Sequence, residues 1–399
     1  MPTITTYIFN PEHDLALAYG TEGYTAPPRA QQLRRDLQML PAWYCEKGDG
    51  GTEILSQNIA EDAAWLMETG LPCRPVAINR LQCRHSRYRP WGWDLDLRGR
   101  LLNTCVPTVD LPMRDQLLTV QELSHRRTTI LIHKLLAEVT GTTFSPLPVE
   151  AHSVDEVRHF NAAYPQCYIK APWSGSGKGI YRVLDADSRN FAIWTQGVIN
   201  RQGSIMCEQP LDKVMDFAME FRCQAGTAHF AGYSVFFNDS HCSYDSGIIA
   251  GQDELERIIT SRLGQSANYL HMISAALSKI LTGIVAPHYE GYLGIDMMIY
   301  RDRGGTLQLN PCVEMNLRMT MGMVSAIIAD RHLAPGSTAT FRVTYHKSPG
   351  EVCAAISHLS QKHPLKTSGR KIVSGFMPLT PTYDDSHFLA SITATTAAS

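Results

Sequence analysis

The chain has 399 residues, which is long enough for two or three domains and a large hydrophobic core. A formal net charge of −2 gives no electrostatic case for binding nucleic acid or an anionic membrane, and a charged fraction of 19% with 44% hydrophobic residues excludes an intrinsically disordered chain. The ten cysteines show no zinc-binding spacing, and we find no signal peptide or membrane-spanning apolar run, so we expect a protein of the reducing cytoplasm.

Residues 1–115 alternate strand and helix patterns, as in an open α/β domain. A strand is predicted over residues 3–9 and helices over residues 28–40 and 55–68, followed by a polar linker at 103–112. After the first strand comes Asn10-Pro11-Glu12-His13-Asp14, at the strand end where open α/β sheets bind ligands. A loop that hydrogen-bonds its own backbone is the favoured interpretation, and contact with an acceptor substrate is the alternative.

The next region is predicted to begin with a helix capped by Ser124, whose apolar residues recur at helical spacing as far as Gly141. The run from Ser153 to Glu156 has the pattern of a capping box and predicts a second helix, which ends before Pro165.

Two predicted strands, 167–171 and 180–184, flank a glycine-rich run, Pro172-Trp173-Ser174-Gly175-Ser176-Gly177-Lys178-Gly179. Its glycines let the backbone wrap around phosphate oxygens, with amide N–H groups as donors. It lacks the Gly-Lys-Ser/Thr ending of a Walker loop, and no helix follows it as a dinucleotide fingerprint requires. A ligand-free hairpin turn is the alternative, but Lys170 on the entering strand favours a phosphate site.

Residues 205–211 are predicted to form an apolar strand that runs into Glu208-Gln209-Pro210-Leu211 and could present backbone groups to the edge of a purine. Residues 219–223 begin another strand, with Glu220 and Arg222 on one face. Residues 253–282 are predicted to be helical, with a break at 264–266.

A predicted hairpin over residues 292–315, turning at residues 301–305, carries the most informative polar residues together with the run that continues to Arg318. If it turns near Gly304-Gly305, Asp296 and Glu314 lie opposite one another on adjacent strands. Because side chains alternate, Glu314, Asn316 and Arg318 share one face.

Two carboxylates and an amide oxygen suit a hard cation such as Mg²⁺. A single acid on a hairpin is usually only solvated, but both strands are otherwise apolar, which favours inward-facing polar groups here. In the tail, Ser348-Pro349 is predicted to open a helix, residues 370–377 to form a strand, and residues 393–399 to be frayed.

Over residues 120–325 the order of these parts resembles the ATP-grasp superfamily. The most specific segment, Val313-Glu314-Met315-Asn316-Leu317-Arg318, is similar to the Glu-x-Asn-x-Arg strand of biotin carboxylases and carbamoyl phosphate synthetases. The resemblance implies a mixed α/β and α+β fold with an N-terminal open α/β domain and a core of two subdomains with antiparallel sheets. The implied domains are residues 1–115, a small subdomain at 116–205 with the phosphate loop, a large subdomain at 206–335 with the metal site, and a C-terminal extension at 336–399 packed on the core.

The resemblance also implies roles for individual residues. Asp296, Glu314 and Asn316 are the implied metal ligands, with Glu290 as the alternative to Asp296, and the implied catalytic residues are Arg318, Lys170 and Arg222. The implied ATP contacts are Lys170 and the loop residues Ser174, Gly175, Ser176, Gly177, Lys178 and Gly179 at the phosphates; Glu208, Gln209 and Leu211 at the adenine; and Glu220 at the ribose. Where the family usually has an Asp-Lys pair, this chain has Arg126-Arg127, of which one, taken here as Arg127, would replace the lysine.

By the same resemblance the chain would use ATP with Mg²⁺ or Mn²⁺ to join a carboxylate to an amine or thiol through an acyl phosphate, releasing ADP and phosphate. The implied partners are small molecules and not nucleic acid or membrane, with a homodimer as the default assembly. A kinase on the same scaffold and a non-catalytic nucleotide-binding protein are the alternatives. The intact set of charged residues argues against the second, because buried charges without a function are costly.

Overall fold

The computed structural model describes residues 3–81, 85–144, 146–175, 177, 179–239 and 243–396. Three β-sheets organise this part of the chain: a four-stranded parallel sheet, a four-stranded antiparallel sheet and a nine-stranded antiparallel sheet. The first belongs to an N-terminal α/β domain, as predicted.

The parallel sheet has the strand order β3-β2-β1-β4. Its strands are β1 (Ile4–Ile8), β2 (Thr52–Leu55), β3 (Arg74–Val76) and β4 (Ser86–Pro90), and its helices are α1 (His13–Tyr19), α2 (Pro28–Asp36), α3 (Ile59–Thr69) and α4 (Leu95–Asn103). The predicted helix starting at residue 55 is wrong at its beginning, because Leu55 ends β2 and is held by pairing with Val76 of β3. The predicted helix over 28–40 is interrupted, since α2 ends at Asp36 and a 3-10 turn covers Leu40–Trp43.

The small antiparallel sheet has the order β5-β8-β6-β7. Its strands are β5 (Val149–Ala151), β6 (Tyr168–Lys170), β7 (Ile180–Arg182) and β8 (Ile205–Glu208), and α7 (Val154–Ala163) and α8 (Arg189–Gln202) pack on it. The helices α5 (Arg114–Leu123) and α6 (Thr128–Thr140) precede it in the chain and pack with the large sheet. The capping box is confirmed: Ser153 accepts a hydrogen bond from the backbone N–H of Glu156 at 3.2 Å. Ser124, however, ends α5 instead of capping α6, because its hydroxyl donates back to the carbonyl of Val120 at 2.8 Å.

The large sheet has the order β13-β12-β9-β10-β11-β14-β17-β16-β15. Its strands are β9 (Asp212–Gln224), β10 (Thr227–Asn238), β11 (Tyr244–Ile249), β12 (Gly291–Arg301), β13 (Leu307–Asn316), β14 (Ser337–Tyr345), β15 (Lys366–Ser368), β16 (Lys371–Pro378) and β17 (Phe388–Thr396), and its helices are α9 (Gln252–Leu263), α10 (Ala267–Ile284), α11 (Met321–His332) and α12 (Pro349–Lys362). The predicted break between α9 and α10 is confirmed at Gly264, which ends α9 with a left-handed φ of 69°.

Helices cover both faces of the large sheet. On one face, buried residues of β9 such as Phe217 and Phe221 pack against α6, α9 and α10. On the other face, α11 and the C-terminal strands pack against the N-terminal domain around Trp43 and Phe341. Each fully buried aromatic side chain contributes about 1.5–3 kcal/mol to folding. Glu220 and Arg222 alternate with the buried phenylalanines and therefore lie on the opposite face of β9, where Glu220 contacts Thr320 and Arg222 reaches Glu46 of the N-terminal domain.

The C-terminal segment contributes four strands to the large sheet. The prediction of a frayed end is wrong for residues 393–396, because Thr393 to Thr396 pair with β14 in β17. The boundaries of the four predicted domains stay predictions. Within the described ranges, none of the helices combines the length and the apolar character needed to cross a membrane.

Candidate active site

The hairpin of β12 and β13 places Asp296 directly opposite Glu314, in the predicted register. Asn316 donates its amide Nδ2 to Oδ2 of Asp296 at 3.2 Å, and its Oδ1 accepts from Nη2 of Arg318 at 2.9 Å. The turn uses Gly305 with a left-handed φ of 86°, which favours glycine. Two strands that are close in sequence thus assemble all four predicted polar residues.

Negative charge accumulates around Asp296. Burial raises the pKa of Asp296 above its usual value, and the neighbouring carboxylates of Glu314 and Glu220 raise it further, against the opposing effect of Arg318. A bound cation would relieve this repulsion and favour the ionised form. The local electrostatics therefore fit a cation.

The residues fit Mg²⁺ in number as well as in charge. The described residues contain no group of three or more His, Cys, Asp or Glu side chains arranged to hold a metal. Mg²⁺ commonly binds one or two protein carboxylates and completes its shell with water and substrate phosphates, so Asp296 and Glu314 are sufficient. The oxygen of Asn316 faces Arg318, so ligation by Asn316 requires its amide to turn over.

Arg126 is a buried cation in this site that the sequence alone did not single out. Its Nη1 lies 2.8 Å from Oε2 of Glu314, and its Nε donates to the carbonyl of Ala171 at 3.0 Å. Its Nη2 donates to the hydroxyl of Ser174 at 3.2 Å. The guanidinium therefore joins the metal strand to the glycine-rich loop.

Arg127, the arginine assigned to ATP from the sequence, lies elsewhere. It is half-exposed and pairs with Glu122 and with Glu150. Both arginines lie just before α6, which begins at Thr128. The backbone N–H of Arg126 donates to the carbonyl of Pro172, and of the two arginines only Arg126 turns its side chain towards Glu314. Arg126 thus occupies the place that the sequence analysis gave to Arg127.

The glycine-rich loop connects β6 and β7 beside this site. A Cβ on Gly175 would lie 2.7 Å from the Asp14 carboxylate, and one on Gly179 would lie 2.3 Å from the Ser174 side chain. Gly177 has a left-handed φ of 72°. The glycines are therefore required by close approach and by backbone conformation. Ser176 and Lys178, both predicted to bind phosphate, lie outside the described residues.

Lys170 is buried at the end of β6, and its Nζ lies 2.6 Å from Oε2 of Glu208 on β8. The two strands pair directly, so Lys170 and the segment after Glu208 adjoin one another. Gln209 and Leu211 follow as half-buried residues. The structure thus brings the predicted phosphate lysine next to the predicted adenine segment.

Asp14 from the N-terminal domain reaches Arg318. Nε of Arg318 donates to Oδ1 of Asp14 at 3.0 Å, and Nη2 lies 3.0 Å from Oδ2. Burial acts to raise the pKa of Asp14, but the guanidinium outweighs it, and the net pKa is lowered. Sequence reasoning missed this contact, although the polar run at residues 10–14 was its signal.

The rest of that run is buried and bonded within the N-terminal domain. Nδ1 of His13 lies 3.2 Å from Asp94, and Asn10 donates to the carbonyl of Gly92 at 2.8 Å. The prediction of a loop that hydrogen-bonds its own backbone is confirmed in part, because the backbone N–H of His13 also donates to the carbonyl of Asn10. His13 nevertheless lines a small cavity together with Ser174 and Glu314, which keeps the substrate alternative open.

Three other predicted residues have different surroundings. Glu220, predicted to bind ribose, is fully buried, and its carboxylate accepts from the hydroxyls of Ser234 at 2.9 Å and Thr320 at 2.8 Å. Burial raises its pKa to about 7. An enclosed carboxyl with internal partners does not suit contact with a sugar. Arg222, predicted to be catalytic, pairs with Glu46 in a separate cleft, and Glu290 pairs with Arg89 there.

No protein-family model matches the sequence, and no curated protein matches it. Among solved structures, the chain is similar to N5-carboxyaminoimidazole synthetase from Staphylococcus aureus complexed with ADP, with a TM-score of 0.51 and 11% identity, covering 100% of this chain and 94% of that chain. It is also similar to the β-γ-ATP complex of biotin carboxylase from Campylobacter jejuni, with a TM-score of 0.54 and 10% identity, covering 100% of this chain and 88% of that chain. At such identities the similarity concerns the fold.

Proposed function

Because this chain has the ATP-grasp fold, we infer that it is an ATP- and Mg²⁺-dependent ligase that activates a carboxylate as an acyl phosphate and releases ADP and phosphate. The observation that carries this proposal is the pairing of Asp296 with Glu314 on adjacent strands, between Arg126 and Arg318. The two similar structures are an ADP complex and a β-γ-ATP complex, which supports a nucleotide as one substrate.

The proposed nucleotide site uses residues from both antiparallel sheets. The phosphates would lie under the glycine-rich loop, in reach of Lys170, and the adenine would lie against residues 208–211. Amide N–H groups of the loop and the lysine supply donors and positive charge to phosphate oxygens. Asp296 and Glu314 would hold Mg²⁺, which, when bound, neutralises charge on the triphosphate.

In the first step, an oxygen of the substrate carboxylate attacks the γ-phosphorus. The bond from that phosphorus to the oxygen shared with the β-phosphate breaks, and ADP leaves with the electron pair. This step depends mainly on alignment and on cations near the equatorial oxygens. Arg126 and Arg318 are the arginines placed to supply them.

In the second step, the acceptor nitrogen attacks the carbonyl carbon of the acyl phosphate. The carbon–oxygen bond to phosphate breaks, inorganic phosphate leaves, and the nitrogen loses a proton. A thiol acceptor would follow the same sequence and give a thioester. The chemistry demands little acid–base catalysis in the first step, which fits a site built of metal ligands and arginines.

A screen of ATP-dependent phosphate release tests this function. The purified chain is incubated with ATP, Mg²⁺ and pairs of amino acids and small carboxylates, and ADP and free phosphate are measured. We expect both products to appear in equal amounts for one pair, and Glu314→Ala to abolish turnover by removing a metal ligand. Asp212→Ala, which removes an exposed carboxylate from neighbouring β9, is the matched control and should keep full turnover.

Two results would contradict the proposal. ADP without free phosphate would identify a kinase on the same scaffold. Full turnover of Glu314→Ala would show that Glu314 does not hold the metal.

A further inference from the structure

A second cleft separates the N-terminal domain from the large sheet. Tyr44, Glu46 and Arg89 line it on one side, and Arg222 and Tyr292 line it on the other. It encloses about 640 Å³, including the part that opens to solvent. We call it the aromatic cleft.

Two ion pairs cross the aromatic cleft, and the acid and the base lie on opposite sides in one pair relative to the other. Glu46 on the N-terminal side pairs with Arg222 on β9 at 2.8 Å, and Arg89 on β4 pairs with Glu290, just before β12, at 2.9 Å. The side chains of Glu46 and Arg222 are 40% and 32% exposed. Ion pairs as exposed as this contribute little to stability, so a ligand that carries both charges can replace the Glu46–Arg222 pair at little cost.

The walls are largely aromatic. Tyr7, Tyr289 and Trp93 line the cleft with Tyr44 and Tyr292. The Arg222 guanidinium lies 5.2 Å from the ring centroid of Tyr292, which holds it in place for a carboxylate. The cleft therefore combines a carboxylate-binding cation, an ammonium-binding acid and a surface for a flat apolar group.

We propose that the aromatic cleft binds an α-amino acid with an aromatic side chain, with its carboxylate on Arg222, its ammonium on Glu46 and its ring against the tyrosines of the walls. The cleft adjoins the proposed active site, since Met319 lines it and is the residue after Arg318. As a substrate of the ligation, this amino acid rests on the proposed function; its binding does not.

Isothermal titration of the full chain with L-phenylalanine tests the proposal without requiring turnover. We expect binding to the unsubstituted chain, and about tenfold or more weaker binding to Arg222→Gln and to Glu46→Gln. Arg301→Gln is the matched control, because Arg301 pairs at 3.9 Å with Asp212 towards the other end of the same two strands. It should bind as tightly as the unsubstituted chain.

Phenylpropionate and phenethylamine, which lack the ammonium and the carboxylate, should each bind at least tenfold more weakly than L-phenylalanine. Equal binding of either analogue would overturn the charge recognition. ATP is titrated in parallel as a check on folding and on the proposed function. If ATP binds and L-phenylalanine, L-tyrosine and L-tryptophan do not, this inference is wrong while the ligase proposal stands. If amino acids bind and ATP does not, the ligase proposal fails instead.

Discussion

Asp14 and Arg318 lie 304 positions apart in the chain and form one contact at the candidate active site. The arginine is pre-aligned by two carboxylate oxygens and by Asn316, so little side-chain freedom remains to be lost when an anion binds. A carboxylate from another domain also competes with any incoming phosphoryl oxygen. Asp14 therefore orients the Arg318 guanidinium and connects the position of this guanidinium to the N-terminal domain.

Replacing Asp14 by Asn should lower the free energy of unfolding by about 2 kcal/mol, because Arg318 is left as a mostly buried cation with fewer acceptors. Urea denaturation followed by circular dichroism measures the change. Asp385→Asn removes a carboxylate from the exposed pair with Arg35 and should cost less than about 1 kcal/mol. Equal losses in both variants would contradict a special role for the Asp14 contact.

The glycine-rich loop shows how an element is fitted to its neighbours. It lies between α1, which carries Asp14, and Arg126 at the start of α6. Because Ser174 is itself held by Arg126, the loop cannot move aside to admit an extra side chain at Gly179 without breaking that contact. The conformation of the loop and the position of Arg126 are therefore coupled.

If the loop binds phosphate as proposed, Gly179→Ala should weaken ATP binding by about tenfold, because the added methyl group displaces the loop from its present conformation. Isothermal titration with Mg·ATP measures the dissociation constant. Gly251→Ala is the control, since a Cβ there meets no atom within 4 Å and its φ of −60° suits any residue. An unchanged constant in Gly179→Ala would remove the loop from the nucleotide site.

At the scale of the whole molecule, the C-terminal strands connect the large sheet to the N-terminal domain. The Tyr383 hydroxyl donates to the buried carboxylate of Asp62 at 2.6 Å, and Gln38 donates both to Asp62 and to that hydroxyl. Both proposed ligand sites lie at the boundary between these bodies. The C-terminal segment thus helps to hold the N-terminal domain against the large sheet.

Tyr383→Phe should lower the free energy of unfolding by about 1–3 kcal/mol, because Asp62 then loses a buried donor. Tyr345→Phe, at an exposed tyrosine on β14, is the control and should change stability by less than about 0.5 kcal/mol. Denaturant unfolding distinguishes the two. A loss no larger in Tyr383→Phe than in the control would show that this link contributes nothing to stability.

Local features of the chain were determined by the sequence itself. The capping box at Ser153, the break at Gly264 and the register of Asp296 with Glu314 each depend on residues within one helix or one hairpin, where backbone geometry leaves few choices. The Glu-x-Asn-x-Arg strand is an equally short segment, and its similarity to a known family predicted the fold.

Only the tertiary structure decided which polar groups meet across the chain. It placed Arg126, and not its neighbour Arg127, beside Glu314, brought Asp14 to Arg318, and enclosed Glu220 within the protein. It also formed the aromatic cleft from two separate parts of the chain. The physical reason is that a charged side chain has no preferred partner in sequence. Its partner is set by which surfaces the packing of the hydrophobic cores brings into contact.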